Sequence, residues 1–315
     1  MSEKSAAVVA RDLVKDYGSH RALDGLDLRV ERGEVLGFLG PNGAGKSTTI
    51  RLLLDLLRPT SGDLRVLGES PREGGAALRS RIGYLPGELA LPRTGSAGAV
   101  LTRLARLRRG AGEDALAPLA ERLGLDLRRP VRSLSKGNRQ KVGLVHAFAA
   151  EPELLVLDEP TSGLDPLLQR EFLALVREAR DRGATVFLSS HVLGEVEDVA
   201  DRVALVRAGR VVDAGDVASL RRRAGQHVEL VLTGPEADDG KVREGLTGLP
   251  GVTGLAVSTT DAGTRVTCLL HGDPDPLLRA AARYRVTRWS AQDRELEELF
   301  LDAYRVGDDA RGVRA

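Results

Sequence analysis

The segment that most limits what this chain can fold into is GPNGAGKST, Gly40–Thr48. It follows a short apolar run, EVLGFL over residues 34–39, which reads as a strand. It precedes Thr48–Leu57, which is apolar at helical spacing. A strand, then G-x-x-x-x-G-K-[ST], then a helix is the sequence form of a phosphate-binding loop. Glycines allow successive backbone N–H groups to turn toward one anion, and the helix start adds its positive end. In this pattern Lys46 reaches the distal phosphates and the Ser47 hydroxyl ligates Mg²⁺.

The runs EVLGFLG, ELLVLDEP, ATVFLSS and RVALVRAG are short and nearly continuous in apolar residues. That is the pattern of parallel strands buried on both faces. Long helical patterns such as LLQREFLALVREARDRG separate them, so the core reads as a doubly wound α/β unit. AVVARDLVKDY and RALDGLDLRV alternate like antiparallel edge strands. Strand signals are absent over residues 88–150, where AVLTRLARLRRG and DALAPLAERLGL read as helices. The expectation is a first domain over residues 1–215 with a helical insertion at about 88–150. The RRRAGQ stretch marks a linker over 216–226. Beyond it, residues 227–306 carry the order βαββαβ and a closing helix, RELEELFLDAYR, which predicts a small α+β ferredoxin-like domain. Residues 307–315 are expected to be a disordered tail.

Composition narrows the partners. The net charge of +1 supplies no bulk attraction to polyanions, so no nucleic-acid partner is expected. The one cysteine, Cys268, rules out an internal disulfide and a CxxC metal pattern, and reads as a small buried strand residue. No run approaches the ~20 apolar residues of a membrane span, and MSEKSAAVVARD does not read as a signal peptide. A cytosolic compartment is expected. Any work at a membrane would need another chain to cross it.

Three further segments bear on the chemistry. ELLVLDEP ends an apolar strand in two adjacent carboxylates. Asp158 at the strand end is suited to hold Mg²⁺ through water, and Glu159 to polarise an attacking water. LSKGNRQKV, Leu134–Val142, places Ser135 and Gly137 at a helix N-terminus, where they serve equally as an anion site or as ordinary capping. His191 closes FLSSH, directly after a buried strand.

Taken in order, these motifs resemble the ATP-binding subunit of an ABC transporter over roughly residues 1–215. GPNGAGKST matches its Walker A loop, LSKGN its signature and LLVLDEP its Walker B strand with the catalytic glutamate. SGLD, Ser162–Asp165, matches the D-loop, His191 the switch histidine, and Tyr17 the aromatic that stacks on adenine. The resemblance implies an ATPase with ATP and Mg²⁺ as cofactors. Gly40, Pro41, Asn42, Gly43, Ala44, Gly45, Lys46, Ser47 and Thr48 would enclose the phosphates. Ser47 and Asp158 would hold the metal. Glu159 would polarise water, with Lys46 and His191 completing the catalytic set. Two copies would pair head to tail, so that Ser135 and Gly137 of one reach the γ-phosphate bound by the other. The pair would sit on the cytoplasmic face of the cell membrane against a separate permease. His20, His146, His227 and His271 match no motif.

One departure stands out. In GYLPGELALP, Gly87 occupies the place of the family's metal-touching glutamine, and Glu88 is expected to substitute for it or a water to fill the gap. The ferredoxin-like tail with its LEELFLDAY helix resembles ABC-2 type drug and antibiotic exporters of the daunorubicin-resistance group. Importers of sugars carry a barrel-type tail instead. The alternative is a soluble ABC ATPase working on ribosomes or DNA. Ribosomal members carry two nucleotide domains, and DNA-repair members a long coiled coil between Walker A and the signature. Neither feature is present here. A pure binding module is disfavoured by the intact Lys46, Asp158, Glu159 and His191.

Overall fold

The computed structural model describes residues 5–92, 94–108, 112–191, 193–219 and 225–293. The arginine run at 221–223, the closing helix expected at 294–305 and the tail expected at 307–315 lie outside the described residues. The chain divides into two compact units, Met1–Gly215 and Asp216–Ala315.

In the first unit the continuous apolar runs become the centre of a six-stranded sheet. Its strands are β3 (Val35–Leu39), β5 (Ile82–Leu85), β6 (Leu154–Asp158), β7 (Thr185–Ser190), β8 (Arg202–Arg207) and β9 (Arg210–Asp216), in the order β5-β6-β7-β3-β8-β9. Pairing from β5 through β8 is parallel. Every residue of β3, β6 and β7 is buried, as expected for strands covered on both faces. Phe38 and Phe187 meet there with ring centroids 5.0 Å apart, both fully buried. Burying each ring contributes on the order of 2–3 kcal/mol.

A second, antiparallel sheet of order β2-β1-β4 is formed by β1 (Ala6–Tyr17), β2 (His20–Glu31) and β4 (Ser61–Val66). The alternation in the sequence gives β1 and β2. It does not give β4, because only Leu64 and Val66 of SGDLRV are buried. The four-residue β5 and the helix α2 (Pro71–Ser80), broken in backbone geometry at Gly75, are also absent from the sequence reading. Helix α1 runs Lys46–Leu53, so it begins inside the glycine loop rather than at Thr48.

Residues 88–150 carry α3 (Ala97–Leu107), α4 (Leu116–Arg122) and α5 (Lys136–Ala149), and among the described residues no strand beyond an isolated Ser96–Pro130 bridge. Helix α6 (Pro166–Asp181) starts with Asp165 accepting a hydrogen bond from the Leu168 N–H, followed by Pro166. Arg122 on α4 forms a two-pronged pair with Glu178 on α6 (2.6 and 2.7 Å) and a further pair with Glu171, which ties the helical region to the sheet's helix layer. A short helix, α7 (Leu193–Glu197), follows β7.

The second unit has the order β10 (Gln226–Thr233), α8 (Asp239–Leu246), β11 (Val252–Thr260), β12 (Gly263–Leu270), α9 (Asp275–Ala281) and β13 (Arg285–Asp293). Its antiparallel sheet runs β11-β12-β10-β13, the split βαββαβ arrangement. Strand β10 takes in Gln226, one residue inside the expected linker. Alternate residues of β10 and β12, among them Val228, Leu230, Val266 and Cys268, pack with Val242 and Leu246 of α8 and Leu277 of α9. Cys268 is 4% exposed, and burial pushes its thiol pKa up. Thiolate is the reactive form, so Ellman's reagent is expected to label the native protein far more slowly than the urea-unfolded chain. Equal labelling rates would show that this core opens freely.

Candidate functional site

The site is built where β3, β6 and β7 end. Their parallel register sets Leu157 against Leu188, Asp158 against Ser189, and Leu39 against Ser190. The chain leaves β3 at Leu39 into the glycine loop, leaves β6 into Glu159, and leaves β7 into His191. The groups of three distant segments therefore meet at the carboxyl ends of three adjacent interior strands.

The loop requires glycine at defined points. Gly45 has φ +109 and precedes α1, and a Cβ there would lie 2.7 Å from Leu23 Cδ2 and 2.9 Å from Ala22 O. A Cβ on Gly40 would lie 2.3 Å from Val206 O. Either side chain would drive the loop off the strands behind it. The loop is pinned from outside by Gly209 N–H donating to Ala44 O (2.9 Å) and Asp24 N–H donating to Gly209 O (3.0 Å).

Lys46 is 6% exposed. Its ammonium donates to Gly40 O at 2.5 Å and Pro41 O at 3.3 Å, and lies 3.5 Å from Glu159 Oε1. Glu159 Oε2 lies 2.6 Å from His191 Nδ1. Glu159 holds φ +48, a left-handed backbone that is uncommon without glycine and typical of functional positions. Ser47 Oγ donates to Asp158 Oδ2 at 3.1 Å. Tyr84 borders the site: burial raises its phenol pKa, and the Asp158 carboxylate raises it further.

A cleft of about 330 Å³ opens over the loop, lined by Tyr17, His20, Ala22, Pro41, Asn42, Gly43, Gly45, Lys46, Ser47, Thr48, Arg51 and Glu159. At one end Tyr17 presents a half-exposed ring, with Lys15 Nζ 5.3 Å from its centroid. Lys46, the glycine loop and the start of α1 line the same cleft. Such a cleft suits a flat base and a polyanionic tail. Ser47 and Asp158 offer two hard oxygen donors at the phosphate end, which fits a magnesium ion that takes its other ligands from phosphate and water. The described residues hold no cluster of three His, Cys, Asp or Glu that would form a metal cage by themselves.

Ser135 and Gly137 do not line this cleft. Ser135 caps α5, accepting from the Asn138 N–H at 3.3 Å, and is exposed. A Cβ on Gly137 would lie 3.0 Å from Gly163 O, and Lys136 Nζ donates to Ser162 Oγ at 3.0 Å, so the signature and SGLD segments touch. Both are left at the surface of one chain, where a second copy could use them. Glu88 is exposed and is not among the cleft residues, whereas Gly87 faces Asp158, 3.6 Å from its carboxylate to a built Cβ. The metal role expected for Glu88 thus has no geometric support. Glu88→Ala is expected to leave both the hydrolysis rate and stability near wild type, the latter within about 0.5 kcal/mol. A collapse of magnesium-dependent turnover would restore the role. His20 and Arg51 line the cleft without any motif that foretold them, and Ser189 contacts Asp158 from the neighbouring strand.

The fold and site together define a P-loop nucleotide-binding domain of the ATPase kind. The chain matches the ABC transporter family over residues 23–162. It is 35% identical over 311 residues to the daunorubicin/doxorubicin resistance ATP-binding protein DrrA of Streptomyces peucetius, covering 95% of this chain and 93% of that one. It is 34% identical over 235 residues to the bacitracin transport ATP-binding protein BcrA of Bacillus licheniformis, covering 73% and 76%. A solved structure described as the ATP binding subunit of an ABC transporter superposes with a TM-score of 0.65 at 32% identity, covering 69% of this chain and 92% of that one. The chain belongs to the ABC transporter family and is an ATP-binding, ATP-hydrolysing subunit of that family.

Proposed function

We propose that this subunit drives export of a small-molecule substrate through a separate ABC-2 type permease, working as a homodimer on the cytoplasmic face of the cell membrane. The observation that carries this reading is the similarity to DrrA, which spans both units of the chain, the ferredoxin-like one included. The two relatives named above are described by resistance to or transport of antibiotics. Neither of these two relatives is named for work on ribosomes or DNA, which is the alternative. Among the described residues no helix is long and apolar enough to cross a membrane, so the reading assigns the crossing to a partner chain. A groove of about 460 Å³, lined among others by Tyr84, Pro86, Leu89, Leu107, Arg79 and Arg108, would offer that partner an apolar and cationic surface.

In this reading ATP lies in the cleft with its base on Tyr17 and its phosphates on the loop. Ser47 and Asp158 would hold a magnesium ion there, and that ion would supply neutralisation of phosphate charge. The second copy closes the cleft with Ser135 and Gly137. Glu159, held by His191, takes a proton from the attacking water as the bond to the γ-phosphorus forms and the bond to the ADP oxygen breaks. Closure over ATP is the step passed to the permease, and hydrolysis reopens the pair.

The test is to express tagged Glu159→Gln chain in its own host, extract membranes in detergent, add ATP and identify what co-purifies by mass spectrometry. A stoichiometric partner with several apolar spans is the expected result. Ribosomal or DNA-repair proteins without such a partner would overturn the export reading.

A further inference from the structure

Ser189 lies within FLSSH without a role of its own there, yet it is placed to govern both acidic residues of the site. The register of β6 and β7 puts it beside Asp158, and it is fully buried. Its hydroxyl donates to Asp158 Oδ1 at 2.6 Å. The same oxygen accepts the Glu159 N–H at 3.3 Å, and the Ser189 carbonyl accepts that N–H at 3.1 Å. The other Asp158 oxygen, Oδ2, faces the loop and accepts from Ser47. The two oxygens of one carboxylate are thereby divided between an inward tether and an outward, ligand-facing role.

We propose that Ser189 is the positioning residue of the hydrolysis site, fixing the Asp158 carboxylate for the metal and the Glu159 backbone for the water. A donor on Oδ1 stops the carboxylate from turning about its Cβ–Cγ bond and keeps Oδ2 aimed at Ser47. Tethering the Glu159 N–H helps hold the left-handed turn that sends its side chain back toward Lys46 and His191. A backbone of that kind persists only where its surroundings over-determine it. The hydroxyl is fully buried and bonded to Asp158 and Glu159, so its effect runs through the residues it holds. The proposal rests on the reading of Ser47 and Asp158 as the metal ligands.

The experiment uses the full chain, a non-hydrolysable ATP analogue and Mn²⁺ as the probe, with free Mn²⁺ read by electron paramagnetic resonance. Wild type, Ser189→Ala, Ser189→Cys and Asp158→Asn are compared, and analogue binding is also measured in EDTA. Ser189→Ala is expected to weaken Mn²⁺ binding about 10–100-fold, the range for losing an outer-shell partner, with metal-free analogue binding unchanged. Ser189→Cys, a weak donor of similar shape, is expected to fall between. Should the alanine variant fail to fold, wild-type Mn²⁺ affinity in the cysteine variant overturns the proposal. So does an alanine variant that binds Mn²⁺ as wild type does, or one that loses metal-free analogue binding to the same degree. If Asp158→Asn binds Mn²⁺ like wild type, the ligand assignment itself is wrong, whatever Ser189 does.

Discussion

Glu159→Gln is expected to lower steady-state ATP hydrolysis by about 10²–10⁴-fold, the usual contribution of a general base, while ATP binding survives. The amide keeps the length and shape of the carboxylate, so the backbone at φ +48 is undisturbed and a hydrogen bond to His191 remains possible. What is lost is the capacity to accept a proton from water. Binding is spared for a separate reason. Glu159 lies 3.5 Å from Lys46, and removing its charge frees the ammonium for phosphate. Phosphate release would measure the first effect. Nucleotide titration, with size-exclusion chromatography in ATP for dimer formation, would measure the second. Hydrolysis persisting within tenfold of wild type would remove Glu159 from the role of base.

The parts of this site that were legible in the sequence are those set by local chain geometry. GPNGAGKST announces its own turn, because Gly43 and Gly45 hold the positive φ values (82 and 109) that favour glycine. LLVLDEP and FLSSH announce buried strands that end in polar groups. The same logic recovers the order of the second unit, where the Asp261–Ala262 turn lies between β11 and β12. The register between strands was not legible. That Asp158 lies beside Ser189 is decided by how β6 and β7 pair over five residue pairs, and no local pattern encodes it. His20 and Arg51 escaped for a related reason: each is an ordinary surface residue on its own element and becomes a cleft wall only when β2 and α1 converge on the loop. Strand β4 was missed because its pattern is too sparsely apolar to stand out, and it forms as a partner for β1. Glu88 failed differently. Gly87 stands beside Asp158, but the next side chain in sequence does not inherit a neighbour's direction, and Glu88 is exposed.

Lys46→Ala should act on the step that Glu159→Gln spares. The Lys46 ammonium is buried within the loop, held by Gly40 O and Pro41 O. An ammonium in that position is compensated only in part by two carbonyls and one carboxylate, and a triphosphate supplies the missing negative charge. Each charge-assisted hydrogen bond is worth about 1.5–3 kcal/mol, and about 1.4 kcal/mol is a factor of ten in affinity. Loss of contacts to two phosphates therefore weakens ATP binding by at least about 10²-fold. Alanine is the best helix former, so the start of α1 at residue 46 is kept and the melting temperature should change little. A fluorescent ATP analogue titrated with and without magnesium tests this, alongside a thermal melt. Affinity within threefold of wild type would mean that the loop amides alone carry the phosphates. A large fall in melting temperature would mean instead that Lys46 supports the loop itself. The two variants separate the work of the cleft: if Lys46→Ala loses binding and Glu159→Gln retains it, the site holds its nucleotide with the loop and cleaves it with the strand end beside it.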